Sequence, residues 1–213
     1  MPIDSQILLG SLALSLVHAA IPSHWLPLVL LARSERWSRS RALGATALAG
    51  GAHSLSTIAV GVAVGLFGKQ LAATHGELLR LGAPALLALL GLVYLGLQLR
   101  ERGHEHAHEH GVSPEAVRGR SGLGVLAALC AAMFFSPCLE IEAYFFLAGG
   151  HGWSGIAAVA ALYFALTVAG MVALVGLGLA GLSHLDLHWL DHYEMAVVGL
   201  AFLALAGLAY WLG

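Results

Sequence analysis

The chain has 213 residues, 59% of them hydrophobic and only 10% charged, with a formal net charge of -2. A water-soluble domain carries about 25% charged residues, so a soluble fold of this size could not bury so much apolar surface, and lipid is the implied solvent. Two cysteines, Cys130 and Cys138, both in one apolar run, do not make the disulfide framework of a secreted domain.

Six apolar runs follow one another, at roughly 6–32, 43–67, 79–99, 123–148, 154–182 and 193–212. Each reaches the ~20 residues that cross about 30 Å of hydrocarbon as helix. They are continuous rather than alternating, which excludes a closed barrel. The expected fold is an all-α membrane protein of about six transmembrane helices. The first run has no preceding Lys or Arg and no clear small-residue cleavage site after it, so it reads as a retained span rather than a signal peptide.

The first run carries Ser11, Ser15, His18 and Pro22 on one helical face, then Ser23, His24 and Pro27. Polar groups inside a span are costly and normally face a cavity or a partner. Pro22 removes a backbone donor and predicts a kink or an unwound step. On a straight helix His18 and His24 point about 120° apart; a kink between them would let both imidazoles turn to one point. The loop that follows holds Arg33, Arg36, Arg39 and Arg41.

The second run has small or polar residues at Ala45, Ala49, His53, Thr57 and Gly61. Gly50 and Gly51 would admit a neighbouring helix, placing His53 inward. The third run, after His75-Gly76-Glu77, is apolar to Leu99. The linker 100–122 then carries Arg100, Arg102, Arg118 and Arg120 and the string Gly103-His104-Glu105-His106-Ala107-His108-Glu109-His110. Histidines spaced by acidic residues predict weak, multidentate metal capture at His104, His106, His108 and His110.

The fourth run contains Ser136-Pro137-Cys138-Leu139-Glu140-Ile141-Glu142. If helical, it sets Cys138 and Glu142 on one face and turns Glu140 away unless Pro137 disturbs the helix. Glu140 and Glu142 are the acidic residues that lie well inside a predicted span. The fifth run repeats alanine at 157, 161, 165, 169 and 173; a second polar cluster, His184, Asp186, His188, Asp191 and His192, precedes the sixth and reads as an interfacial helix anchored by Trp189.

Two relationships span the whole chain. Loops one and three hold eight of the ten Lys and Arg residues; the opposite side holds only Lys69 and Arg80. The positive-inside rule places those loops in the cytoplasm and both termini outside, in an inner cell membrane. That bias accounts for the arginines, so a nucleic-acid partner is not expected. The prolines at 22 and 137, the small-residue rows of runs two and five, and the His-x-Glu openings at 75 and 192 recur at offsets of 115, 116 and 117. They predict a 3+3 inverted repeat, residues 1–99 and 123–213, with its site at the repeat interface near mid-membrane.

Imidazole, thiolate and carboxylate together suit late first-row divalent metals, whereas magnesium and calcium prefer oxygen alone. His18, His24, His53, Cys138, Glu140 and Glu142 are therefore the candidate metal-site residues. No His-Glu-x-x-His string occurs within a span, so an enzyme of the zinc-hydrolase type is not expected. A thiol electron carrier needs two cysteines that can meet; eight residues apart in one helix, Cys130 and Cys138 would lie about 12 Å apart. A membrane factor for metalloenzyme assembly is the other alternative to transport.

The string His18-Ala19-Ala20-Ile21-Pro22-Ser23-His24 resembles the His-Ala-x-x-Pro-x-His motif of nickel/cobalt efflux proteins of the NicO type. Gly44-Ala45-Thr46 through His53-Ser54 is similar to that family's second-span pattern, the histidine-rich linker to its central loop, and Pro137-Cys138 to the pair opening its second half. Trp25-Leu26-Pro27, where small or polar residues are usual, and Glu140 and Glu142 depart from it. The resemblance implies a fold of the wider LysE transporter superfamily and ligand roles for His18, His24 and His53. It also implies export of nickel or cobalt, with zinc or manganese as further candidate ions. Because ligand histidines must be neutral and a thiol deprotonated, proton antiport is the expected coupling.

Overall fold

The computed structural model describes residues 4–74, 76–101, 122–181 and 193–212. Among them all regular secondary structure is helical. Three stretches are long and apolar enough to cross a bilayer, Ser5–Ser34, Arg39–Thr74 and Gly152–Leu179; Leu87–Leu99 and Gly124–Phe134 are shorter apolar helices. The outer surface carries Leu9, Leu16, Leu48, Leu55, Leu92 and Leu200, all exposed, as lipid-facing positions require. The linker histidines 104–110 and the cluster at 184–192 lie outside the described residues.

The first run is two helices. α1 (Ser5–Ala20) ends at Ile21, whose backbone is extended (φ -61, ψ 122), and α2 (Pro22–Ser34) begins on the proline. The residue before a proline is pushed out of the α region, and Pro at the first helical position costs nothing because its missing N–H would be unpaired there anyway. The break leaves carbonyls at the end of α1 without partners in the helix. The Trp25 indole N–H donates to one of them, the Ala20 carbonyl, at 3.2 Å. Trp25, a departure from the efflux motif, is thus part of what closes the break. Ser11, Ser15 and His18 are all buried, as one face. The Ser15 hydroxyl donates to the Ser11 carbonyl at 2.6 Å, so it is satisfied by its own helix.

α3 (Arg39–Thr74) is the central element and packs most extensively on α5 (Gly122–Phe134), α6 (Glu142–Gly149) and α7 (Gly152–Leu179). At 36 residues it is about 54 Å long, so it tilts or projects beyond the hydrocarbon. Its buried row is Ala45, Ala49, His53, Thr57 and Gly61. Near its end the backbones of α3 and α6 touch: a Cβ at Gly68 would strike the Phe146 carbonyl, and one at Gly149 the Gly65 carbonyl. Of the two glycines before His53, Gly50 has Met171 against it, whereas Gly51 has open space. One glycine, not two, serves the close approach.

The fourth run differs most from the sequence expectation. Residues 135–141 are non-helical between α5 and α6. Pro137 supplies the physical reason, since it cannot donate to the preceding turn and forces Ser136 out of the helical region. Cys138 and Glu142 therefore share no helical face. Cys130, in α5, and Cys138, in the gap, do not belong to one helix, so the 12 Å spacing does not apply; the two form no disulfide.

On α7 the buried stripe is Val159, Tyr163, Thr167, Met171 and Val175, while Ala157, Ala161, Ala165, Ala169 and Ala173 are all exposed. The offset of 116 consequently sets a buried row of α3 against an outward row of α7. α4 (Gly76–Glu101) and α8 (Glu194–Leu212) form a close pair. Gly91 and Gly199 each lie under the other's carbonyl, leaving about 3 Å for an added Cβ. The buried Gln98 side-chain oxygen accepts the Ala196 N–H at 3.1 Å, one of the donors that the start of α8 cannot pair within itself.

Candidate metal centre

The two helix breaks bring donors together. His18 ends α1, His24 begins α2, His53 lies midway along α3, and Cys138 sits in the gap before α6. One donor atom from each of the four lies within 4.8 Å of all the others. His18 and His24 ring centroids are 4.4 Å apart, His18 and His53 5.6 Å, His24 and His53 5.1 Å. The break at Ile21 produces the convergence that a straight helix forbids. His18 and His53 are almost wholly enclosed, at 2% and 1% exposure.

Each imidazole turns one ring nitrogen outward, and for His53 that contact fixes the tautomer. His53 Nδ1 is 3.3 Å from the Met133 carbonyl. A carbonyl only accepts, so His53 carries its proton on Nδ1 and presents a bare Nε2. Met133 is in the last turn of α5, and its carbonyl also accepts the Ser136 N–H at 3.4 Å, so the imidazole shares the closure of that helix end. His18 Nδ1 faces Glu140 Oε2 at 3.9 Å, and His24 Nδ1 faces the Ser23 hydroxyl at 3.4 Å. Inside, His18 Nε2 and His53 Nε2 are 3.4 Å apart, and His24 Nε2 is 3.3 Å from Cys138 Sγ. Two nitrogens about 2.05 Å from one tetrahedral ion lie about 3.3 Å apart. Two bare imidazole lone pairs that close repel each other unless a cation lies between them.

Glu140 and Glu142 stand behind this group. Tyr94 and Cys138 hydrogen-bond the Glu140 carboxyl; its Oε2 and His18 Nδ1 make no hydrogen bond among the described residues. Glu142 is buried in the first turn of α6, interacts with Glu140, and neither of its oxygens has a described partner. Both carboxylates were candidate ligands from sequence; the four-donor group contains neither.

Two residues at the centre were not singled out from sequence. The Tyr163 hydroxyl, fully buried on α7, is 3.2 Å from His18 Nε2. The Thr57 hydroxyl accepts the Cys138 backbone N–H at 3.1 Å, pinning the gap to α3. Thr57 lies in the small-residue row, four residues after His53, so its place on that face was readable. A tyrosine in an apolar helix carries no comparable signal.

No family model, curated protein or solved structure matches the chain. Three imidazole nitrogens and a thiol are a borderline-soft set that takes zinc, cobalt, nickel or copper and disfavours magnesium and calcium.

Proposed function

We propose that the chain is a membrane transporter that exports a divalent transition-metal ion, with His18, His24, His53 and Cys138 as its ligands. The observation that carries this reading is their convergence. Four donors from four separate segments, three of them at breaks in apolar helices, meet within 4.8 Å. Non-helical backbone at membrane depth is tolerated where it lines a cavity or is buried in protein, and discontinuous helices with ligands at their broken ends are a common transporter device.

The finer reading is six spans in a 3+3 inverted arrangement, in an inner cell membrane, with both termini outside and the histidine-rich linker in the cytoplasm delivering the ion. The arginine distribution and the resemblance to nickel/cobalt efflux proteins support it. Binding to the thiol of Cys138 displaces its proton, so an opposing proton gradient is the natural driving force. A fixed metalloenzyme-assembly site would bind the ion without moving it.

Purified protein in proteoliposomes, with a metal-sensitive dye on the far side, tests this. Wild-type protein is expected to move cobalt, nickel or zinc, and His18→Ala and His53→Ala proteins to move none. Tight binding without flux by the wild type would replace transport with the assembly reading.

A further inference from the structure

We propose that Tyr163 is a positioning residue that competes with the transported ion for one lone pair, that of His18 Nε2, and so sets how readily the ion is released. This rests on the metal-centre reading given above. A neutral imidazole has one bare nitrogen with a single in-plane lone pair. In His18 the nitrogen open to an ion is Nε2, which faces His53 Nε2 at 3.4 Å, while Nδ1 is turned toward Glu140 Oε2. The Tyr163 hydroxyl, 3.2 Å away, is a donor aimed at the same lone pair. A metal ion bound at His18 Nε2 must take that lone pair, and the Tyr163 O–H must then point elsewhere.

The surroundings provide the alternative. Tyr163 also hydrogen-bonds Thr57, whose hydroxyl accepts the Cys138 backbone N–H. The phenol is therefore flanked by a ligand on one side and by the residue that holds a second ligand's backbone on the other. Its ring is enclosed, with no exposed surface, and α7 packs on α1, α2 and α3, the three helices that carry the histidines. The phenol and the Thr57 hydroxyl can each donate or accept, so the O–H can turn from His18 to Thr57 with no movement of the ring.

The test is binding of zinc and of cobalt to the purified full chain by competition with a chelator, comparing wild type, Tyr163→Phe and His18→Ala. Removing the competing hydrogen bond frees the lone pair, so Tyr163→Phe is expected to bind roughly 3- to 10-fold more tightly, the affinity equivalent of one hydrogen bond. It should also release the ion more slowly in proteoliposomes. A purely structural role predicts the reverse direction, weaker binding from a loosened site. A second measurement uses the wild type alone. Zinc is spectroscopically silent, so a tyrosine feature in the ultraviolet difference spectrum on zinc addition reports the phenol losing its acceptor. Equal or weaker zinc affinity in a folded Tyr163→Phe protein, or no tyrosine feature in a wild type that binds zinc, overturns the proposal while leaving the metal centre intact. No binding by the wild type would instead overturn the metal centre, and this inference with it.

Discussion

His18 Nδ1 and Glu140 Oε2 face each other across the second helix break at 3.9 Å, and both are buried with no hydrogen-bond partner among the described residues. That distance is too long for a hydrogen bond. A carboxylate behind a metal-bound histidine fixes the ring's tautomer and raises its basicity. Glu140→Gln is accordingly expected to weaken metal affinity about 10- to 100-fold without abolishing it. Glu142→Gln should leave affinity unchanged, since Glu142 contributes nothing to the four-donor group. Isothermal titration with zinc on both variants checks this. An equal loss from both would return the two carboxylates to a shared role.

The four donors themselves should be costlier to lose. Replacing any of His18, His24 or His53 by alanine, or Cys138 by serine, removes a ligand outright, so each loss is expected to exceed the roughly 10- to 100-fold of an outer contact. Cobalt gives a separate signature, because a thiolate ligand produces a near-ultraviolet charge-transfer band. The band should appear in the wild type and vanish in Cys138→Ser while the visible bands persist. Persistence of the charge-transfer band in that variant would remove Cys138 from the ligand set.

Much of the centre was readable because membrane burial makes polar groups conspicuous. His18, His24 and His53 stand out in apolar runs, and Pro22 announces the break that joins the first two. The rest fails for identifiable reasons. Cys138 was placed on a helical face with Glu142 by extending helix periodicity through Pro137, where the chain is non-helical. Trp25 looks like a motif departure until the break exposes the Ala20 carbonyl that its indole pairs. Alanine is equally at home against lipid and against a helix, so the row from Ala157 to Ala173 could not declare that it faces out. Tyr163 needs the third dimension, because nothing within α7 links it to His18.

The glycines divide by what lies over them. A methyl on Gly149 would meet the Gly65 carbonyl and the Lys69 amide nitrogen, both backbone groups that cannot swing aside. Overpacking of this kind costs about 1–3 kcal/mol. Gly149→Ala should lower the melting temperature in detergent and, by lifting α6 off α3, loosen the 135–141 gap that carries Cys138. Gly51→Ala is the control. It meets nothing within 4 Å, and alanine is favoured over glycine in a helix by about 1 kcal/mol, so that protein should melt at the wild-type temperature or higher. Destabilisation by both would mean that α3 is packed on the Gly51 side as well.

Trp25 couples the break to the ligands. Its indole N–H holds the Ala20 carbonyl, two residues after His18, and its ring is buried beside Val29, Met171 and Val175. Trp25→Phe keeps an aromatic ring there and removes the N–H, so the Ala20 carbonyl loses its partner, a loss of about 0.5–1.5 kcal/mol. The carbonyl can recover a partner only by shifting the end of α1, which moves His18 relative to His24. Lower thermal stability together with weaker zinc binding is therefore expected. Lower stability with unchanged affinity would show that the ligands are held from α3 and α7 rather than by the closure of the break itself. In that case the two histidines flanking Pro22 are positioned by what they pack against, and the proline serves only to free the chain to put them there.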